Sequence, residues 1–221
     1  MGVRERQSRD RELVRFVGRH GVVAIEHVMV SLDVRSAAAY RRVAACIERG
    51  LLERLELLRA EPSLLRATRE GLRYAGLGFP VAVVSAGSAG HWLRCASVAQ
   101  QLIGEFGPGH VITERELAFA ERLEGRPIAS AKVGELPNGE PQLHRPDLAV
   151  LADTGPIAVE VELTPKSPQR LEGIIRAWRR AHWVAEIRYY CEPGQTRRAL
   201  ERTVAKVHAE QRIGIFEAVA R

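Results

Sequence analysis

Over the first third of the chain the apolar positions recur at helical spacing, and further on they alternate in short runs. Leu13, Val14, Phe16 and Val17 fall on one stripe of a helix that GRHG (18–21) terminates. A short helix over 25–30 and a turn at SLDVR follow. SAAAYRRVAACIERG then places Ala39, Val43, Cys46 and Ile47, followed by Leu51, at core spacing, with Ser36 as the expected N-cap and Gly50 as the stop. LLERLELL and LLRATR read as two strands joined by RAEPS, and TREGLRYAGL as a closing helix. Residues 76–90, GLGFPVAVVSAGSAG, lose the periodicity and read as a linker.

Beyond it, 88–106 is an amphipathic helix with Trp92, Cys95, Val98, Ala99, Leu102 and Phe106 on one side. TERELAFAERLEG (113–125) carries a capping box, with Thr113 as cap and Glu116 three residues on. A strand over 128–133 precedes the turn PNGEP. HRPDLAVLADTGPIAVEVELTPKS (144–167) then reads as two strands around DTGP. A helix starting at Ser167-Pro168, the strand AEIRYYC, the helix TRRALERTVAKVH and the strand IGIFEAV complete the order. The class predicted is α+β or α/β: a helical domain with a β-hairpin, then a mixed sheet flanked by helices.

Within 144–167, strand alternation turns Ile157, Val159, Val161 and Leu163 one way and Glu160 and Glu162 the other. Pairing through the DTGP turn brings Asp147 close to these two acids. Three adjacent carboxylates repel one another and raise some of their pKa values unless a cation intervenes, and Mg²⁺ or Mn²⁺ suits an all-oxygen ligand set. The alternative is that the acids lie on a solvated sheet face.

Composition narrows the choice. In residues 1–80, 15 arginines stand against ten acids, a net of +5; the other 141 residues hold 18 basic and 17 acidic groups, a net of +1. The basic excess of the N-terminal third suggests a polyanionic partner. Three scattered cysteines without C-x-x-C suggest neither disulfides nor a zinc ribbon. Spacings for a zinc protease, a P-loop, a dinucleotide fold or a serine-hydrolase elbow are absent. No apolar run approaches the ~20 residues of a membrane helix, and the charged N-terminus is unlike a secretory signal. The cytoplasm is therefore the compartment expected, with no membrane as partner.

Three helices followed by a hairpin resemble a winged helix-turn-helix. The resemblance implies that Arg35, Tyr40, Arg41 and Arg42 contact double-stranded DNA from the third helix, and Arg59 from the wing tip. The alternatives are arginines that only solvate a helix, and a module that docks protein or dimerises. Pro146-Asp147, with Glu160 on the next strand, resembles the PD-(D/E)xK nuclease superfamily, whose fold is restriction-endonuclease-like. The family's lysine falls on position 162, where this chain has Glu; Lys166, four residues later, could reach back as a substitute.

What the resemblance implies is metal binding by Asp147, Glu160 and Glu162, in-line attack of water on phosphorus, and Lys166 offsetting charge. Glu116 is a further ligand candidate on the preceding helix, with Glu114 and Glu105 behind it. For Lys166 an exposed loop lysine is the competing reading. Trp178 and Trp183 are better explained by packing or an interface than by base stacking, and Arg176, Arg179 and Arg180 by a solvated face. Arg170 could pair with Glu162 or a phosphate.

The combination, through LLRATREGL, TEREL, HRPDLAVL and IAVEVELTPKSPQRL, resembles the replication-relaxation family of plasmids and other mobile elements. It implies a winged helix over 1–78, a linker over 79–90 and a nuclease-like domain over 91–221. Two functions stay open: a metal-dependent nuclease that nicks or relaxes DNA, and a non-catalytic regulator using an inactive nuclease-like domain for assembly. The partner implied is double-stranded DNA, with a homodimer possible.

Overall fold

The computed structural model describes residues 3–57 and 63–218. It is a mixed α and β structure that divides into two compact units, residues 1–100 and 101–221. No helix among the described residues is long and apolar enough to cross a membrane.

The N-terminal unit runs α1 (Val3–His20), β1 (Val22–Val23), α2 (Ile25–Leu32), α3 (Ser36–Glu48), β2 (Leu52–Leu55), β3 (Leu64–Ala67), α4 (Arg69–Ala75) and most of α5 (Ala86–Phe106). Its sheet is antiparallel, in the order β1-β3-β2. Leu13, Val14 and Val17 of α1 meet Val28, Val43, Cys46, Leu52 and Leu65 in one core, each fully buried aliphatic contributing roughly 1.5–3 kcal/mol. The turn into α3 is made by Asp33, in the left-handed region at φ 48°, with its amide on the Met29 and Val30 carbonyls. Thr68 caps α4 by accepting from the Gly71 amide, and its hydroxyl donates to the Gly50 carbonyl at 2.6 Å. Gly71 itself is required, since a Cβ there would lie 1.9 Å from the Leu51 carbonyl oxygen.

Two expectations need correction here. Arg35, not Ser36, occupies the N-cap of α3, and no side chain caps that helix. The helix after the linker starts at Ala86, and the units part at residue 100, within it. Its Ala89 and Leu93 pack with Val22, Ala24 and Leu64, and its Ala96 joins Leu13 and Val17, so the first turns of this helix belong to the N-terminal core, beyond residue 78 where the winged helix was expected to close.

The C-terminal unit continues with β4 (Val111–Thr113), α6 (Glu114–Glu124), β5 (Ala131–Glu135), β6 (Pro141–His144), β7 (Leu148–Ala152), β8 (Gly155–Glu162), α7 (Pro168–Arg180), β9 (Glu186–Cys191), α8 (Gln195–Lys206) and β10 (Ile213–Glu217). Five strands form one sheet in the order β10-β9-β8-β7-β4. β8, β9 and β10 are parallel, while β7 is antiparallel to both β8 and β4. β5 and β6 form a separate hairpin. Leu171, Ile174, Ile175 and Trp178 of α7 cover Ala158 of β8 and Ile187 and Tyr189 of β9. β1, β4 and β6 were not anticipated: they span two, three and four residues, too short to show an alternation.

Candidate functional site

The acids are assembled by strand register. Leu148 pairs with Val159 across β7 and β8, so the next position outward sets Asp147 beside Glu160, on the sheet face shared with Glu162. Asp147 is fixed there by the Val161 amide, which donates to its Oδ2 at 2.7 Å. The face is not solvated: Glu160 is 5% and Glu162 6% exposed, because α7 and the β5–β6 hairpin supply groups that cover it. Burial pushes the Glu162 carboxyl above its usual range. Lys166 pulls it back, and the neighbouring charges of Glu160 and Asp147 raise it again.

Buried carboxylates require partners, and each acid has them. Glu160 Oε1 lies 2.6 Å from His144 Nε2 and accepts from the Trp178 indole at 3.1 Å. Burial disfavours the charged His144 imidazole, but the Glu160 carboxylate outweighs it and holds the His144 pKa above the ordinary value. Lys166 reaches back to Glu162, as a displaced lysine would, with 23% of its side chain exposed. Tyr189 stands directly across from Glu160 on β9. Its hydroxyl is buried, and burial followed by the Glu160 and Glu162 charges pushes its pKa well up.

A further buried acid supports the segment that leads into Asp147. Glu121, on α6, accepts from the Ile128, Ala129 and Ser130 amides and from the Ser130 hydroxyl. It also accepts from Arg145 at 3.1 Å, which anchors the segment immediately before Asp147. The ligand candidates on the flanking helices carry contacts of their own. Glu116 is committed to its capping box, accepting from the Thr113 amide and hydroxyl at 3.0 and 3.1 Å. Glu105 pairs with Arg188 at 2.9 Å, and Arg188 alternates with Tyr189 and so lies on the opposite sheet face. The Glu114 amide donates to the Asp147 carbonyl, a backbone contact that fixes strand order. Arg170 is exposed, and Lys166 takes the position beside Glu162 considered for it.

His144, Trp178, Tyr189, Glu121 and Arg145 were missed. Trp178 left a signal. A tryptophan on an otherwise aliphatic buried stripe carries an N–H that must find an acceptor, and a buried glutamate on the facing strand provides one. The other four leave no local pattern.

In the N-terminal unit, α3 turns Ala39, Val43 and Cys46 inward and leaves Arg35, Tyr40 and Arg41 exposed and Arg42 half-buried. The guanidinium groups of Arg35, Arg41 and Arg42 form no ion pair or hydrogen bond among the described residues. Tyr40, 45% exposed, borders a cavity of about 160 Å³ with Arg54 and Ser63. Arg59 lies outside the described residues. No family model matches the chain, and no curated protein matches it.

The acid set offers oxygen donors only, the chemistry of a hard divalent cation, on one face of the sheet, but as the side chains stand the three acids do not bring one oxygen each within 4.8 Å of one another. The contacts described use Oε1 of Glu160 and Oε2 of Glu162, one oxygen of each.

Proposed function

We propose that this is a DNA-binding protein of the mobile-element type. Its N-terminal unit is a winged helix that grips duplex DNA through α3, and its C-terminal unit is a restriction-endonuclease-like domain that hydrolyses phosphodiesters with Mg²⁺ or Mn²⁺. The order α1-α2-α3-β2-β3 and the uncommitted Arg35, Arg41 and Arg42 support the first half. The observation that carries the second is the placing of Asp147 and the buried Glu160 and Glu162 on one face of the sheet, with Lys166 folded back onto Glu162. Asp147, Glu160 and Glu162 would hold the cation, which supplies Lewis-acid activation of phosphate and water. His144 and Trp178 orient Glu160, and Lys166 offsets negative charge where the lysine of the resembled superfamily would do so. The cytoplasm is the compartment this function requires.

A second reading is favoured by a specific observation: His144, Trp178 and Lys166 already partner the two glutamates. On that reading the domain is a non-catalytic platform, and the protein a regulator of transcription or replication. Supercoiled plasmid incubated with Mg²⁺ or Mn²⁺ separates the two. Relaxed or linear product from the wild type and none from Glu160→Gln is the result expected. Intact plasmid under wild-type protein that still binds duplex in a salt-sensitive manner would leave the regulator.

A further inference from the structure

The two tryptophans of the α7 segment part company. Trp178 is wholly buried against Glu160, whereas Trp183 is 44% exposed. The Trp183 indole N–H donates to the Ser130 carbonyl at 3.2 Å, so the ring is held in place while much of it faces solvent. It borders an open cleft of about 560 Å³ lined by Lys132, Val133, Gly134, Glu135, Ala177 and Arg180. The Arg180 side chain is exposed, and its guanidinium has no ion pair or hydrogen bond among the described residues. Lys132 pairs with Glu135, but that bridge is solvent-exposed and is easily given up for a phosphate. The hairpin register slips between Lys132 and Gly134, an irregularity of the sort that re-aims side chains beside functional sites.

The cleft and the acid cluster share their two supporting elements. On α7, Ala177 lines the cleft while its neighbour Trp178 donates to Glu160. On the hairpin, Lys132 lines the cleft, while Ala131 pairs with His144, the partner of Glu160. A chain lying in the cleft is therefore separated from the acids by the thickness of one helix and one strand pair.

We propose that this cleft binds single-stranded DNA, one base stacking on Trp183 and the adjoining phosphates meeting Arg180 and Lys132. The proposal rests on the reading of the protein as DNA-directed and names where one strand lies next to the acids. A fixed, exposed aromatic flanked by solvent-exposed cations is the chemistry that takes unpaired bases without sequence preference. The volume lies within the ~300–1,000 Å³ of small-ligand sites, room for a base and its phosphate but not for the width of a duplex.

The test is fluorescence anisotropy on the full chain in chelator, with labelled oligo(dT) of about 20 nucleotides and, separately, a duplex. Proteins compared are the wild type, Trp183→Ala, Arg180→Glu and the double variant Arg41→Ala/Arg42→Ala. The Arg180 side chain is exposed and unpartnered, so its variant keeps the test open should Trp183→Ala fold poorly. Loss of roughly tenfold in oligo(dT) affinity in either cleft variant, with duplex affinity falling only in the α3 variant, is expected. Oligo(dT) binding that neither cleft substitution weakens, as a cleft for an acidic peptide would give, overturns the inference while duplex binding keeps the DNA reading. No binding of either DNA by the wild type removes both.

Discussion

The two units treat charge in opposite ways. On α3 of the N-terminal unit, Arg35, Arg41 and Arg42 carry their charges on guanidinium groups with no ion pair or hydrogen bond among the described residues. In the C-terminal unit, Asp147, Glu160 and Glu162 are each tied to a backbone amide, an imidazole, an indole or an ammonium. Water solvates a surface cation, so an arginine can wait there for a phosphate without destabilising the fold. A buried carboxylate has no such option and must be satisfied by the protein. The difference teaches where each proposed function would be stored: binding on an open surface of α3, chemistry in a cluster that exists only once the sheet, α7 and the hairpin have come together.

That contrast breaks most visibly at Glu160. Glu160→Ala leaves the Trp178 N–H without its acceptor and His144 without its counter-charge, and should destabilise the protein by about 3 kcal/mol in urea denaturation. Glu160→Gln, which still accepts from Trp178, should lose well under half of that. A cost for the alanine variant below about 1 kcal/mol would mean that the acids are not the hub described here.

A pH effect belongs to the N-terminal unit alone. His20 is fully buried, and burial, followed by the charges of Arg19 and His27, holds its pKa down to about 3. The folded state therefore keeps His20 neutral, while the unfolded chain protonates it below the ordinary value of 6.5. Stability is present above that value and falls with pH by about 1.4 kcal/mol per unit until about pH 3. The difference between the wild type and His20→Leu in denaturation at successive pH values isolates the effect, and parallel curves would contradict it.

Arg41→Ala and Arg42→Ala should each weaken duplex binding several-fold and lower the salt slope by about one for each phosphate contact removed. Thermal stability should move by no more than about 0.5 kcal/mol. A large stability loss would show that these arginines are structural after all. The smallest effect belongs to Glu116. Glu116→Ala should cost about 1 kcal/mol of stability through loss of the cap while leaving divalent-cation affinity untouched. Lost affinity would return Glu116 to the ligand set.

How legible this was follows from how local each signal is. Helix α3 was readable because Ala39, Val43 and Cys46 recur within one element. The same holds for Glu160 and Glu162, whose alternation with Val159 and Val161 lies within β8, and for Lys166, which reaches Glu162 only four residues back. The burial of those acids was not readable. It depends on His144 and Trp178, 16 and 18 residues from Glu160, brought in by a hairpin whose second strand, PQLH, has neither alternation nor β-branched residues. Arg145 and Glu121 meet across 24 residues, and nothing in either one's neighbourhood in the chain marks the other. The unit boundary was misplaced for a related reason. The periodicity of α5 shows an apolar stripe but not which core it enters, and its Ala89 and Leu93 join Val22 and Leu64.

The most direct measurement is calorimetric titration of Mn²⁺ into the full-length protein, wild type beside Glu160→Gln. The account predicts a single saturable site in the wild type that disappears in the variant, with both proteins equally folded by circular dichroism. No heat from the wild type, with salt-dependent duplex binding intact, would contradict it and leave a DNA-binding protein whose buried acids serve the fold alone.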